Sequence, residues 1–300
     1  MQKTLKTVAE LSGVGLHSGR EISMTLRPAK ENNGIVFMRT DIVGKDNLIP
    51  ALWDHVVDTQ LCTVIGNADG VTVGTIEHVM AALRGCGVDN LIIEVNGPEV
   101  PVMDGSSAPF VALIEEAGLE IQAMPQRAIK ILKEVSIEID GKRSTLRPSN
   151  ISTFRGLIDF DHPSIGLQDM EIQLVNGNFK HDIAEARTFG FLHEVEYLRQ
   201  NGLALGGSLD NAIVLDQEKV LNEDGLRFSN EFIRHKLLDA IGDLYLAGAP
   251  ILGEYECEKP GHFMNNEILK AVFADPSNWC YEDTYAVEDD FVPEAEAVAA

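Results

Sequence analysis

The chain has 300 residues, which is enough for one large domain or two ordinary ones, and its hydrophobic content of 45% is typical of a globular protein. A net charge of −23 and a pI near 4.6 argue against binding to a nucleic-acid backbone, which requires Lys and Arg. No run of about 18 apolar residues occurs, so the sequence predicts no membrane span.

The ends and the cysteines predict a cytoplasmic protein. The segment from Met1 to Lys6 lacks the apolar core of a signal peptide. The cysteines form no Cys-x-x-Cys pair, which argues against a disulfide framework and a thiolate zinc site; they are Cys62, Cys86, Cys257 and Cys280. Reduced cytosol is therefore expected. Residues 285–300 are acidic and Ala-rich and are expected to form a disordered tail.

The first forty residues favour strands. A glycine-punctuated loop is predicted over residues 12–19, without the strand-to-helix context of a dinucleotide motif. A strand over residues 22–26 follows and stops at Pro28. Asn33-Gly34 is typical of a hairpin turn, so the strand over residues 35–39 is expected to pair with the one before it.

Part of this unit recurs in the second half. Thr25-Leu26-Arg27-Pro28 reappears as Thr145-Leu146-Arg147-Pro148, and the strand before Asp41 reappears as residues 156–161, in both cases 120 positions further on. Two matches at one offset, each within a strand–turn–strand unit, indicate a duplicated fold.

Helices and later strands follow in the same order in both halves. The first half has a helix over residues 75–83, a strand over 90–95 and a helix over 110–117; the second has a helix around 234–243, a strand over 251–255 and a helix over 264–273. The sequence therefore predicts two similar α+β domains, over residues 1–124 and 127–284, with a pocket at their interface.

The second half is expected to carry an insertion. His78 and His235 occupy equivalent helices but lie 157 positions apart, which is 37 more than the offset between the strands. The segment 189–215 is the place we predict for it, with a helix, a glycine-rich turn and a strand.

One helix carries a candidate metal site. His235 and Asp239 are four residues apart and so share a helical face. With His78 they would offer two imidazoles and a carboxylate, the ligand set of a catalytic zinc with one open position. Such a cation lowers the pKa of a water molecule toward about 7, and the neighbouring Glu77 is placed to take its proton. The alternative is that these are unrelated residues on amphipathic helices.

Other residues have both a catalytic and a structural interpretation. His262, in a glycine-flanked loop, is a candidate acid, with Asp243 favouring its protonated form; otherwise it is a surface histidine. Lys236 and Thr188 are candidates to stabilise an oxyanion, and otherwise a solvated lysine and an ordinary strand-end threonine. Asp159 and Phe160 could bind a flat ring, although these residues by themselves favour a turn aspartate and a core phenylalanine.

Five motifs stand out when taken together: Thr-Ile-Glu-His at 75–78, Val-Met-Asp-Gly-Ser at 102–106, Ala-Arg-Thr-Phe-Gly-Phe at 186–191, His-Lys-Leu-Leu-Asp-Ala-Ile-Gly-Asp-Leu at 235–244 and Gly-His-x-x-Asn-Asn at 261–266. This set resembles the UDP-3-O-acyl-N-acetylglucosamine deacetylase family, LpxC, whose members act in lipid A synthesis in Gram-negative bacteria. The resemblance runs from about residue 4 to 284. It implies a duplicated, ribosomal S5 domain 2-like β-α-α-β fold with the active site between the domains.

The same resemblance assigns roles to individual residues. It implies zinc ligands at His78, His235 and Asp239, a base at Glu77 and an acid at His262. Thr188 and Lys236 would help to hold the oxyanion, and Asp243 would orient the acid. Contacts to the UDP-sugar are implied for Lys142, Asp159, Phe160, Phe189 and Lys259.

The resemblance also concerns the two insertions. It implies an insertion near residues 45–63, and an apolar passage for the acyl chain within residues 189–215. Residues that suit this passage are Leu192, Leu198, Leu203 and Ala204. Pro260 departs from the family pattern, in which a small polar residue is common, and is expected to stiffen the loop that carries Lys259.

The expected protein is a zinc or ferrous-iron deacetylase that acts as a monomer on a UDP-acyl-GlcNAc. Two other classes remain open. One is a binding protein that has kept the scaffold, although binding alone needs neither Glu77 nor His262. The other is a zinc amidase for a different acylated amine.

Overall fold

The computed structural model describes residues 1–284, so the predicted tail over 285–300 lies outside the described residues. Its mixture of helices and mostly antiparallel strands confirms the predicted α+β class. The helices are α1 (Glu77–Cys86), α2 (Ala108–Ala117), α3 (Phe179–Asp182), α4 (Leu192–Gln200), α5 (Glu231–Leu244) and α6 (His262–Phe273). The strands are β1 (Lys3–Leu5), β2 (Ala9–Val14), β3 (Glu21–Pro28), β4 (Ile35–Arg39), β5 (Leu48–Pro50), β6 (Val56–Asp58), β7 (Val64–Gly66), β8 (Thr72–Val73), β9 (Leu91–Val95), β10 (Leu119–Ile121), β11 (Gln126–Ile131), β12 (Val135–Ile139), β13 (Lys142–Pro148), β14 (Ser152–Phe160), β15 (Gly166–Gln173), β16 (Phe189–Phe191), β17 (Ile213–Leu215), β18 (Ile251–Glu258) and β19 (Trp279–Thr284).

The first half builds a five-stranded sheet in the order β2-β3-β9-β4-β5. β9 pairs antiparallel with β3 and in parallel with β4, so the hairpin predicted at Asn33-Gly34 is wrong. The chain does turn there, but β9 lies between the two strands. Its side chains Leu91, Ile93 and Val95 are fully buried, and so apolar a strand is favoured at the centre of the sheet, where both edges are paired.

The second half repeats this arrangement. β13 pairs antiparallel with β12 and with β18, and β18 pairs in parallel with β14, which is antiparallel to β15. The two Thr-Leu-Arg-Pro copies therefore end equivalent strands, β3 and β13. β11 and β19 extend this second sheet. The common strand order agrees with a duplicated fold; the residue limits of the two domains stay a prediction.

Small units form at or near the two segments predicted as insertions, whose assignment as insertions stays a prediction. β6, β7 and β8 make a three-stranded sheet that runs beyond the predicted 45–63 segment to Val73, whereas β5 belongs to the five-stranded sheet. Within residues 189–215, β16 pairs in parallel with β17 and α4 lies between them in the sequence, in agreement with the predicted helix, turn and strand. The loop predicted over residues 12–19 begins later than expected, because β2 continues to Val14. Across the described residues 1–284, none of the helices combines the length and the apolar character that a membrane span requires.

Helices α1 and α5 pack against each other and join the apolar residues of both halves in one core. Gly242 makes this close packing possible. A Cβ atom at this position would lie 2.1 Å from the carbonyl oxygen of Glu77 and 3.0 Å from the amide nitrogen of Ala81. The absence of a side chain at one position of α5 therefore brings the two histidine-bearing helices together.

Gly242→Ala is expected to lower the free energy of unfolding by about 1–3 kcal/mol, because the added methyl group meets the backbone of α1. The better helix propensity of alanine, about 1 kcal/mol, opposes this loss only in part. Urea denaturation measures the change. Gly190→Ala is the control, because its methyl would meet only Val195, at 3.7 Å. Equal stability of the two variants would contradict the prediction.

Candidate active site

The α1–α5 contact brings His78, His235 and Asp239 into one group. His235 Nε2 lies 3.3 Å from Asp239 Oδ1, and His78 Nε2 lies 3.7 Å from the same oxygen. All three residues are at most 3% exposed. One ligand atom from each lies within 4.8 Å of the others, which is close enough for a single cation to bind all three.

The protonation of this group suits a cation. Burial lowers the pKa of His78 to about 3 and also lowers the pKa of His235, so both imidazoles are neutral and have a free lone pair. Burial alone would raise the pKa of Asp239, but the neighbouring His235 and Lys236 outweigh it, and the carboxyl group is ionised.

Hydrogen bonds orient these ligands. His235 Nδ1 lies 3.0 Å from the carbonyl oxygen of Ala186 and donates to it, which directs Nε2 toward Asp239. His78 Nδ1 is buried and has no hydrogen-bond partner among residues 1–284. Two neutral imidazoles and one carboxylate, with no further protein ligand in the group, fit a catalytic cation better than a closed structural site.

A second group lies beside the first and joins Glu77, Asp243 and His262. His262 Nδ1 lies 2.9 Å from Asp243 Oδ2, and its Nε2 lies 3.9 Å from Glu77 Oε1. Burial raises the pKa of Glu77 to about 7. Burial opposes the charged form of His262, but Asp243 and Glu77 outweigh it and raise the pKa of His262 to about 9. Near pH 8 the group therefore holds an ionised carboxylate and an imidazolium, the charge states of a base and an acid.

Lys236 lies beside this centre, and Thr188 is two residues after Ala186, whose carbonyl oxygen accepts the hydrogen bond from His235. Lys236 Nζ lies 3.1 Å from Asp239 Oδ2 and 5.5 Å from the ring centre of Phe189. Thr188 is held through its backbone, since its N–H donates to the carbonyl oxygen of Gly105 at 2.8 Å. The neighbouring Arg187 forms an ion pair with the fully buried Glu231. The Glu231 carboxylate also accepts from the backbone N–H of Arg187, and these bonds fix the segment that carries Thr188.

The residues expected to contact the UDP-sugar gather at one end of the second sheet. Arg143 and Leu157 both pair with Glu258, so Lys142, Asp159 and Lys259 lie at neighbouring strand ends. All three are exposed. Lys259 has a φ of +59°, and its N–H donates to the carbonyl oxygen of Leu157 at 2.8 Å. This backbone contact holds Lys259 against β14, and the stiffening by Pro260 stays a prediction.

Aromatic residues lie between this end of the second sheet and the group of His78, His235 and Asp239. The rings of Phe160 and Phe189 have centres 5.9 Å apart, and Phe189 lies 6.3 Å from the ring of His235. Phe189 also lines an apolar cavity of about 300 Å³ between the 189–215 segment and Leu16, His17 and Leu61 of the first half. Of the residues predicted to line it, the cavity contacts Leu192, Leu198 and Ala204; Leu203 lines a neighbouring cavity instead.

Sequence reasoning missed three buried polar residues at this site. Thr63 contacts both Glu77 and Asp243, Asn265 donates to Asp243, and Glu231 binds Arg187. Asn265 stands in the Gly-His-x-x-Asn-Asn motif, so a signal for it existed. The sequence gives no signal for Thr63 or Glu231, because the residues they contact lie far away along the chain.

Comparisons with known proteins agree with this geometry. The family model described as UDP-3-O-acyl N-acetylglycosamine deacetylase, LpxC, matches residues 2–274. The UDP-3-O-acyl-N-acetylglucosamine deacetylase of Myxococcus xanthus is 51% identical over 281 residues, 94% of this chain and 88% of its own length. The enzymes of the same name from Haemophilus influenzae (strain 86-028NP) and Vibrio parahaemolyticus are 47% and 49% identical over 99% and 93% of this chain, and over 99% and 92% of their own lengths.

The α+β fold, the buried group of His78, His235 and Asp239, and the adjacent Glu77 and His262 are features expected of a metal-dependent hydrolase. With a family model that covers residues 2–274 and relatives near 50% identity, the chain belongs to the LpxC family of deacetylases.

Proposed function

We propose that the protein hydrolyses the 2-acetamido group of UDP-3-O-(3-hydroxyacyl)-N-acetylglucosamine to the free amine and acetate, the committed step of lipid A synthesis. One observation carries this proposal: the group of His78, His235 and Asp239 lies directly beside Glu77 and His262, in a buried site between the two halves. The relatives' names supply the substrate.

His78, His235 and Asp239 would hold a divalent cation, for which we propose zinc; ferrous iron suits the same ligands. The bound cation would polarise the amide carbonyl and make a water molecule more acidic. The buried, neutral imidazoles and the ionised carboxylate keep this ligand set ready at neutral pH.

Glu77 and His262 carry the proton transfers in this proposal. The ionised Glu77 carboxylate takes a proton from water as the water oxygen adds to the carbonyl carbon of the acetamido group. His262, protonated and turned toward Glu77 by Asp243, gives its proton to the amide nitrogen as the C–N bond breaks. The products are acetate and a sugar amine. Because His262 Nε2 and Glu77 Oε1 are 3.9 Å apart and both side chains are at most 10% exposed, neither proton has to cross bulk solvent.

Thr188 and Lys236 are the proposed stabilisers of the negative charge on the former carbonyl oxygen. The Lys236 ammonium reaches the ligand group, because it lies 3.1 Å from Asp239 Oδ2. Thr188 lines the apolar cavity next to Phe189, whose ring lies 6.3 Å from that of His235. A well-placed donor to an oxyanion contributes about 3 kcal/mol.

We assign the substrate's two ends to the two sides of the centre. Phe160 would stack on the uracil ring, Asp159 would accept a hydrogen bond from its one N–H group, and Lys142 and Lys259 would contact the diphosphate. Phe189 lies between Phe160, at this end of the second sheet, and the proposed cation ligand His235. The apolar cavity of about 300 Å³ that also contacts Phe189 suits the acyl chain.

Acetate release from a UDP-3-O-acyl-N-acetylglucosamine tests the proposal directly. The purified protein should release acetate, a chelator should abolish the release, and added zinc should restore it. Protein purified without added metal should contain about one divalent ion per chain, because the structure offers one His/His/Asp group within residues 1–284.

Two results would contradict this function. Binding of the substrate without acetate release, at full metal content, would indicate a binding protein. Deacetylation of other acetylated amines, with none of the UDP-sugar, would indicate a different amidase.

A further inference from the structure

Thr63, which precedes β7, contacts both members of the acid–base machinery. Its backbone N–H donates to Glu77 Oε2 at 3.1 Å, and its hydroxyl donates to Asp243 Oδ1 at 2.6 Å. Thr63 is 1% exposed, so water does not compete for either bond. This residue of the first half therefore binds a carboxylate that lies 180 positions further along the chain.

The bond from Thr63 completes a set of donors around Asp243. Asp243 Oδ2 accepts from His262 Nδ1 at 2.9 Å and from Asn265 Nδ2 at 2.8 Å. The hydroxyl of Tyr255 donates to Asn265 Oδ1 at 2.6 Å and fixes this amide in turn. On the Oδ1 side, the bond to Asp243 comes from Thr63. Donors on both oxygens determine the plane of the carboxylate, and that plane determines where the His262 ring points.

We propose that the Thr63 hydroxyl is a positioning group that orients His262 through Asp243. The inference rests on the proposed role of His262 as the proton donor. Without the hydroxyl, the Asp243 carboxylate is held on one oxygen and can turn about its Cβ–Cγ bond. His262 then loses its fixed direction toward Glu77, and proton transfer to the leaving nitrogen slows because its geometry is no longer maintained.

The two contacts of Thr63 can be separated by substitution. Thr63→Val removes the hydroxyl but keeps the side-chain shape and the N–H that binds Glu77. Thr63→Ser keeps the hydroxyl and removes only a methyl group. The pair of variants therefore isolates the bond to Asp243 from the bond to Glu77.

We expect Thr63→Val to lower kcat by about 10- to 100-fold with KM changed less than about twofold, the usual scale for loss of a partner that orients a functional group. Thr63→Ser should keep kcat within about threefold of the unchanged enzyme. Thr145→Val is the matched control: Thr145 is also buried, and its hydroxyl lies 3.0 Å from Ser136 Oγ, with no contact to the acid–base group. Its kcat should stay unchanged.

A double-mutant cycle distinguishes positioning of the acid from a general structural effect. In a His262→Gln background, Thr63→Val should cause no further loss of kcat, because the group it orients is already gone. Additive losses would overturn the inference, and so would equal losses in Thr63→Ser and Thr63→Val. If Thr63→Val does not fold, Thr63→Ala replaces it in the same double-mutant cycle, and additive losses of kcat would again overturn the inference. Failure of the unchanged enzyme to release acetate would instead refute the proposed function.

Discussion

Glu77→Gln is expected to lower kcat by about two to four orders of magnitude, the scale of a lost general base. The glutamine side chain has the same shape and still accepts the hydrogen bond from the Thr63 N–H, but it cannot take a proton from water. KM for the UDP-sugar and the metal content should be nearly unchanged, because Glu77 is proposed to contact neither the cation nor the remote parts of the substrate. Steady-state kinetics with metal analysis measures all three quantities.

Glu94→Gln is the control for this substitution. Glu94 is partly buried and pairs with Arg27 at 2.6 Å, but it lies on β9 and does not contact Glu77, Asp243 or His262. Its kcat should match that of the unchanged enzyme. Full activity of Glu77→Gln at saturating metal would show that Glu77 is not the base.

His262→Gln is expected to cause the second large loss, about two to four orders of magnitude in kcat, because no group remains to protonate the leaving amine. The pH dependence gives a sharper test. The base must be ionised, so activity falls as the pH drops through the pKa of Glu77, about 7. The acid must be protonated, so activity falls as the pH rises through the pKa of His262, about 9. The profile should therefore be bell-shaped, and His262→Gln should lack the alkaline fall.

Asp243 determines the position of the alkaline limb. Burial disfavours the imidazolium of His262, and the charge of Asp243, 2.9 Å away, is the largest factor that raises its pKa. Asp243→Asn should therefore move the alkaline fall to lower pH. His181→Ala, at an exposed histidine of α3, should leave the profile unchanged. An alkaline limb that persists in His262→Gln would show that another group supplies the proton.

Local periodicity made part of this site visible in the sequence. A spacing of four residues places His235 and Asp239 on one helical face whatever surrounds the helix, and in the structure their ligand atoms are 3.3 Å apart. The sequence predicted His262 in a loop before a helix over residues 264–273, whereas in the structure the helix begins earlier and His262 is the first residue of α6. The roles of these residues stay proposals until the variants are measured.

The hairpin predicted from local sequence was wrong because a strand from further along the chain pairs in its place. Asn33-Gly34 is a good hairpin signal, yet β3 and β4 do not pair, since the apolar β9 occupies the place between them. A turn motif specifies the direction of the chain over four residues. It does not specify which strand lies alongside, because burial of apolar area by a later segment outweighs the preference of a short turn.

The sequence by itself determined the α+β class, the repeated strand–helix order, the family and the side chains available for chemistry. Only the tertiary structure decided that His78 meets Asp239, that Glu77 and His262 face each other, and that Thr63 reaches Asp243. The physical reason is the separation along the chain over which each effect acts. Helical and strand periods act over a few residues, whereas these contacts join positions about 160 to 185 apart. They arise only when α1 packs closely against α5, which the missing side chain of Gly242 permits.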